Sequence, residues 1–583
     1  MRQVEMTKKQ RTIRQNYDFW IPFTLYIALL AVKLIFIIDN RSMPIISDEF
    51  RYVRFARALL EKGSYHSTQY PIGYCISILP AFLAGEHFYT AIKVLNAVYS
   101  SFLPVIIYAI ARIYLRKADS AICAFFSAIL PFHYVMTMEI MSENLYFPLF
   151  FLAIYVLLKD HKHKILSDIL LGFLIGAMYL TRHVALVMIP VFALIWFVKQ
   201  LDEKEKIGVI FLRGFLIVGV IGVTYSPWVL MCRREGFSLK NTLGFSIASK
   251  SDPAQLTLPR LGNSFALYVS YVMLAAAPLI GPALKALRGF EWKRLFGPYN
   301  RLLLTCYGFS GALLVAVSRH TWRAFYNYPE VTRLKGRYII YIPVLLLLLA
   351  MVSGASGKKI TFKRKWTHAL IVYGIPAVLF AYALSRNIGQ YLTAEVEYYE
   401  SVDVQRTTLL SPVILVVYTV LMWLVQAAGD FGWKLKKLLK DIPGTLMVLA
   451  VLFEGYAAWN YLGYLEERNE YNEAVRCNEV RDVLAALDLA GLPLEDEVVK
   501  VYTDPVPEFT FMRRNVEMFV ADDVKFYKFE ETEEDKRPES YYIITRTPED
   551  FDSFAVNENI TSFYWEEKTY YFNFVSETEQ AEE

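Results

Sequence analysis

Residues 19–38 read FWIPFTLYIALLAVKLIFII, and residues 48–62, one short loop further on, read DEFRYVRFARALLEK. The first stretch is an apolar run of the length that a bilayer crossing needs. It is too long for a signal-peptide core and no small-residue cleavage site follows it, so it reads as a retained membrane helix. In the second, Phe50, Val53, Ala56 and Leu60 recur at helical spacing, with Arg51, Arg54 and Arg57 between them. That pattern makes an amphipathic helix suited to the bilayer surface. Asp48 and Glu49 stand at its start, where acids favour the helix dipole. The same position would hold two carboxylates rigidly at the water–lipid boundary.

The rest of the chain repeats the first motif. Further apolar runs fall at about 89–115, 118–137, 144–158, 165–180, 184–199, 207–230, 264–287, 302–318, 338–354, 366–385, 409–428 and 443–463, which makes thirteen expected spans. A shorter stretch, PIGYCISILPAFLAG at 71–85, carries Pro80 inside it. Counted as a span, it would put every later basic connector outside. Left as a hairpin or interfacial helix, it lets Arg116-Lys117, Lys159–Lys164, Lys199–Lys206, Lys285–Arg294, KKITFKRK at 358–365 and KLKKLLK at 434–440 share the cytoplasmic side with Lys8, Lys9, Arg11 and Arg14. The positive-inside bias favours that second threading. It places the N-terminus in the cytoplasm and the C-terminal region outside.

Composition agrees. Of 583 residues, 55% are apolar, 15% aromatic and only 20% charged. A soluble chain of this size could not hide that much apolar surface. Disordered, collagenous and disulfide-scaffold classes are excluded. The net charge of +4 averages two unlike parts. Residues 464–583 hold 31 acids and 12 bases, whereas residues 1–463 hold 26 acids and 49 bases. The expected organisation is a transmembrane domain over 1–463 and a soluble extracytoplasmic α/β domain over 464–583. In the second, 466–489 has helical periodicity and VVKVYT (498–503), YYIIT (541–545), SFYWE (562–566) and TYYFNFV (569–575) read as strands. A tail so acidic would repel nucleic acid. The five cysteines form no CxxC pair, so neither a zinc site nor a disulfide framework is indicated. Gly172 and Gly176 form a GxxxG, read as close helix packing.

The residues able to carry chemistry lie in the expected outer loops. Asp48 and Glu49 come first, then Glu143 in Ser142-Glu143-Asn144, a carboxylate costly to hold so close to apolar runs. Arg182, Arg234, Arg337 and Lys335 are outer cations against the prevailing bias. Outer carboxylates with outer arginines at headgroup depth suit a phosphorylated amphiphile, because guanidinium pairs bidentately with phosphate.

In order and sidedness, these motifs resemble those of the GT-C membrane glycosyltransferases. They are the acidic pair after the first span, Tyr70-Pro-Ile-Gly-Tyr74, Glu143, Thr181-Arg182 opening a span, and Gly336-Arg337-Tyr338 opening a late one. The layout is similar to the branch of the protein O-mannosyltransferases and lipid A aminoarabinose transferases. The resemblance spans roughly residues 15–350, and the oligosaccharyltransferase Trp-Trp-Asp motif is missing. It implies an all-α polytopic GT-C fold and transfer of a hexose or pentose from a polyprenyl-phosphate carrier. The acceptor would be a lipid, glycan or protein outside the cytoplasm, with membrane lipids as surroundings. By the same resemblance Asp48 is the general base, or Glu49 in its place, with Glu143 as a further catalytic carboxylate. Tyr70, Arg182, Arg234, Arg337 and Tyr338 are then substrate-binding residues. No sequence feature fixes a metal; magnesium or manganese, if bound, would be held by Asp48 and Glu143. A transporter or lipid flippase is the rival reading. Against it, the charged residues cluster in loops and no repeated half is visible.

Overall fold

The computed structural model describes residues 8–39, 47–65, 67–130, 136–245, 256–324, 331, 334–355, 370–386, 420 and 424, and five strands between 499 and 576. The helices run α1 Lys8–Asp39, α2 Ser47–Lys62, α3 Ile72–Ile78, α4 Phe88–Ser100, α5 Leu103–Tyr114, α6 Lys117–Ala128, α7 Glu143–Leu158 and α8 Lys164–Thr181. They continue with α9 Ala185–Asp202, α10 Ile207–Arg234, α11 Leu239–Thr242, α12 Leu258–Ala275, α13 Ala277–Ala286, α14 Pro298–Ala324, α15 Tyr341–Ala355 and α16 Ile375–Ser385.

Among the described residues, six helices are long and apolar enough to cross a membrane: Asp18–Ile38, Phe88–Tyr114, Lys164–Thr181, Ala185–Asp202, Ile207–Arg234 and Pro298–Ala324. Shorter apolar helices cover Ile72–Gly85, Glu143–Leu158, Tyr341–Ser353 and Val372–Tyr382. The stretch at 71–85 is too short to cross as one helix. Its α-helix ends at Ile78, a 3-10 segment follows to His87, and Gly85 turns the chain into α4 with φ +58°, which costs glycine nothing. The expected span at 264–287 is two helices: α12 stops, Ala276 leaves the helical region, and α13 begins at Ala277 with a proline in its first turn. The expected spans at 409–428 and 443–463, the 463/464 boundary and the helix at 466–489 lie outside the described residues, apart from 420 and 424.

Helix α7 runs through the middle of the bundle. Phe147, Phe150, Phe151 and Ile154 are all buried. Phe150 meets Phe309 of α14 at 5.0 Å and Tyr341 of α15 at 5.5 Å between ring centroids. Helices α1 and α10 lie at the periphery, where Phe19, Trp20, Phe211, Phe215, Val218 and Val223 are exposed, as lipid-facing positions would be. The GxxxG packs α8 on α10 as expected: a Cβ on Gly176 would sit 2.7 Å from Thr224 Cβ, and one on Gly172 2.9 Å from the Ile217 carbonyl oxygen. Ion pairs gather the basic connectors at one end of the bundle. Lys164 reaches Glu203 at 2.6 Å and Glu205 at 2.5 Å, while Asp18 holds Arg112 at 3.1 Å and Lys117 at 3.4 Å.

The strands are β1 Val499–Thr503, β2 Val524–Lys528, β3 Ser540–Thr545, β4 Thr561–Trp565 and β5 Lys568–Ser576, in the order β2-β1-β3-β5-β4. β1 is parallel to β2 and β3, and β5 is antiparallel to β3 and β4. Four of the five fall on the expected runs. β2 is the exception, because VKFYK has a lysine on either side of a short apolar core.

Candidate active site

At the other end of the bundle the end of α8 and the starts of α2, α7 and α15 converge. Asp48, in the first turn of α2, has a side chain 18% exposed. Its Oδ2 accepts a hydrogen bond from Arg337 Nη2 at 2.7 Å, and its Oδ1 accepts one from the Tyr70 hydroxyl at 2.6 Å. Tyr70 accepts in turn from Arg51 Nη1 at 2.8 Å. Burial alone would raise the pKa of Asp48. The positive charge of Arg337, the hydrogen bonds from Tyr70 and Arg337, and the charge of Arg182 together hold it below the ordinary carboxylate value. Asp48 is therefore ionised at neutral pH.

Glu49 is one residue on, and a helix turns about 100° per residue. The turn carries it beneath the cluster. It is fully buried, and its Oε1 accepts from the Ile140 amide at 2.6 Å and the Tyr89 hydroxyl at 3.3 Å. It pins the segment that leads into α7. Glu143 opens that helix, forms a buried ion pair with Arg182, and lies 3.9 Å from Arg337 Nε. Ser142 knits the pair together: its Oγ accepts from Tyr52 at 2.8 Å and from Arg182 at 3.3 Å, and donates to Glu143 at 3.4 Å.

Arg337 sits in a 3-10 turn, Gly336–Tyr338, just before α15. A Cβ on Gly336 would run into the Tyr271 hydroxyl, so the glycine lets the turn close onto α12. The Tyr338 ring is ringed by cations: Arg182 Cζ at 5.1 Å, Arg337 Cζ at 5.2 Å and Lys335 Nζ at 5.8 Å from its centroid. Such contacts are favourable for each cation singly.

Six expected site residues are thus neighbours: Asp48, Tyr70, Glu143, Arg182, Arg337 and Tyr338. Arg234 is exposed at the end of α10, and none of the contacts that build the cluster involves it. Tyr52, Ser142 and Arg51 are cluster members the sequence did not flag. Tyr52 is four residues after Asp48, on the same helix face, which was the available signal.

Among the described residues no group of three or more His, Cys, Asp or Glu side chains is arranged to hold a metal ion. Asp48 and Glu143 are each engaged by a guanidinium, so in this arrangement their oxygens are a poor donor set for magnesium or manganese.

Residues 72–228 match the family model described as "Dolichyl-phosphate-mannose-protein mannosyltransferase". The match takes in Glu143 and Arg182 and leaves Asp48 and Arg337 outside it. No curated protein sequence matches the chain. Among solved structures, ArnT from Cupriavidus metallidurans, crystallised with undecaprenyl phosphate, has a similar fold: TM-score 0.57, 12% identity, covering 95% of this chain and 97% of that one. The archaeal oligosaccharyltransferase AglB from Archaeoglobus fulgidus is similar over 67% of this chain and 59% of its own, at 12% identity and TM-score 0.37. The resemblance read from the sequence is supported: the chain has a fold similar to that of ArnT, and its residues 72–228 match the protein mannosyltransferase family model.

Proposed function

We propose that the protein transfers a sugar from a polyprenyl-phosphate carrier to a hydroxyl-bearing acceptor on the extracytoplasmic side, by a single inverting displacement. The observation that carries the reading is the 2.7 Å contact between Asp48 and Arg337, which lie 289 residues apart in sequence. A proton acceptor and a phosphate-binding cation are thereby set side by side at the end of a membrane bundle. The relatives support the chemistry: ArnT was crystallised with undecaprenyl phosphate, and the matched family is named for dolichyl-phosphate mannose.

In this reading the acceptor oxygen attacks the anomeric carbon as the bond to the phosphate oxygen breaks. Asp48 takes the hydroxyl proton. The electron pair leaves with the phosphate, whose growing charge meets Arg337 and Arg182. Asp48 is a weak base at rest because Arg337 holds it. A donor phosphate competes for that guanidinium, and each hydrogen bond it draws away returns basicity to the carboxylate. Glu143 keeps Arg182 in place and adds negative potential near the oxocarbenium-like centre. Arg337 and Arg182 supply positive charge at the phosphate from side chains.

Comparing transfer by wild type and Asp48→Asn on a panel of polyprenyl-phosphate-linked hexoses and pentoses tests the reading. Transfer that is lost in the variant while donor binding survives supports it. Movement of labelled carrier lipid across a vesicle bilayer with no transfer would favour the transporter reading, for which the structure offers no specific observation.

A further inference from the structure

His320 lies four residues before the end of α14. As a residue it is partly open to solvent, and its ring approaches Tyr338 edge-on, with ring centroids 5.7 Å apart and planes at 78°. Among the described residues neither ring nitrogen has a hydrogen-bond partner. A histidine near a helix end commonly caps a carbonyl, and His320 does not.

Its surroundings point to an anion. The charges that face it are Lys335 and Arg337 from the turn before α15, Arg323 from α14 itself, and Arg182 from the end of α8. Arg182, Arg337 and Lys335 also border Tyr338. Asp48 pairs with Arg337 here, and Glu143 with Arg182 and, at 3.9 Å, with Arg337. An oxyanion beside Tyr338 would meet guanidinium groups on one side and the free edge of His320 on the other. An imidazole has an N–H donor on one nitrogen when neutral and on both when charged. In either form it has a hydrogen bond to give.

We propose that His320 is a further ligand of the carrier phosphate, donating a hydrogen bond to a phosphate oxygen seated beside Tyr338. The inference rests on the site being one for polyprenyl phosphates, and it adds a residue that none of the sequence motifs contains. His320 touches the leaving group and carries no proton in the transfer step.

The test uses the full-length protein in detergent, with geranylgeranyl phosphate as the probe and geranylgeraniol as its uncharged counterpart. His320→Phe keeps a ring against Tyr338 and removes the donors. It is expected to weaken the phosphate lipid by about tenfold, the lower end for a hydrogen bond to a charged group, and to leave the alcohol unchanged. His320→Asn places an amide N–H near the Nδ1 position and His320→Gln near Nε2. One of the two is expected to restore affinity to within about threefold. Equal loss for phosphate and alcohol, rescue by neither amide, or unchanged phosphate affinity in His320→Phe overturns the proposal. Unchanged affinity in His320→Phe beside a loss in Arg337→Ala overturns the role of His320 alone. A wild-type protein that does not distinguish phosphate from alcohol overturns the polyprenyl-phosphate reading itself.

Discussion

Gly73, in the Tyr70–Tyr74 motif, is the residue whose smallest possible change should disturb the site most. A Cβ there would lie 2.7 Å from the Leu180 carbonyl oxygen and 2.8 Å from its carbonyl carbon. Ordinary contact begins at 3.4 Å, so with 3.4 less 2.7 Å to recover, α3 must back away from α8 by about 0.7 Å. The obstacle is backbone at the end of a packed helix and cannot swing aside. Overpacking of this kind costs about 1–3 kcal/mol. The shift is delivered to chemistry directly, because Tyr70 is three residues before Gly73 and Arg182 is two residues after Leu180. A displacement approaching 1 Å at reacting groups can lower the rate by about 10². Gly73→Ala is therefore expected to lower the melting temperature in detergent and to cut transfer by one to two orders of magnitude, roughly. Gly208→Ala is the control, since nothing lies within 4 Å of a Cβ there. It is expected to stay within about 0.5 kcal/mol of wild type, as surface substitutions do. If Gly73→Ala is as stable and as active as Gly208→Ala, the packing of α3 on α8 does not position Tyr70 and Arg182, and the reasoning is wrong.

Glu143→Gln should destabilise the fold by about 3–5 kcal/mol, because it strands Arg182 in a buried position, while Glu143→Leu with Arg182→Met should recover most of the loss; denaturant titration of the singles and the double tests the coupling. The stability that Asp48 gains from its depressed pKa is fully present above its unfolded value near ~3.9 and is lost as the pH falls through the folded value. The stability gap between wild type and Asp48→Asn should therefore be constant from about pH 5 to 8 and close below about pH 4; a gap that closes near neutrality would show a different charge state. Chelation with EDTA is expected to leave transfer unchanged, since guanidinium groups supply the positive charge; loss on chelation that manganese or magnesium restores would make Asp48 and Glu143 metal ligands instead.

The sequence displayed more of the site than of the bundle. Asp48, Glu143, Arg182 and Arg337 stood out because charged residues are costly beside apolar runs, and a costly residue usually has a task; Tyr70 and Tyr338 stood out only through the resemblance to the GT-C motifs. Asp48 could not be told from Glu49 in one dimension. Only the direction of α2 decides which carboxylate meets Arg337 and which accepts from the Ile140 amide. Tyr52 and Ser142 were illegible for another reason: a tyrosine on an amphipathic helix and a serine before an acid look like packing and capping, and their contact joins residues 90 apart. Arg234 looked like Arg182 in sequence, a cation at a span end, yet it is exposed and outside the cluster. Hydropathy could not show that 264–287 breaks at Ala276, because both halves are equally apolar and the break lies in backbone angles. The buried Asp168–Arg213 pair, at 2.6 Å, was likewise hidden, since each residue alone looks like the edge of a span.

The most direct measurement is single-turnover transfer from a polyprenyl-phosphate-linked sugar by Asp48→Asn, with donor binding measured on the same preparation. Asparagine keeps the shape and can still face Arg337, but it cannot take a proton. Transfer is expected to fall by about 10²–10⁴, the usual contribution of a general base, while donor affinity is kept or improved because Arg337 is released to the phosphate. Transfer at the wild-type rate in Asp48→Asn, with the donor bound as tightly, would contradict the assignment of Asp48 as the base.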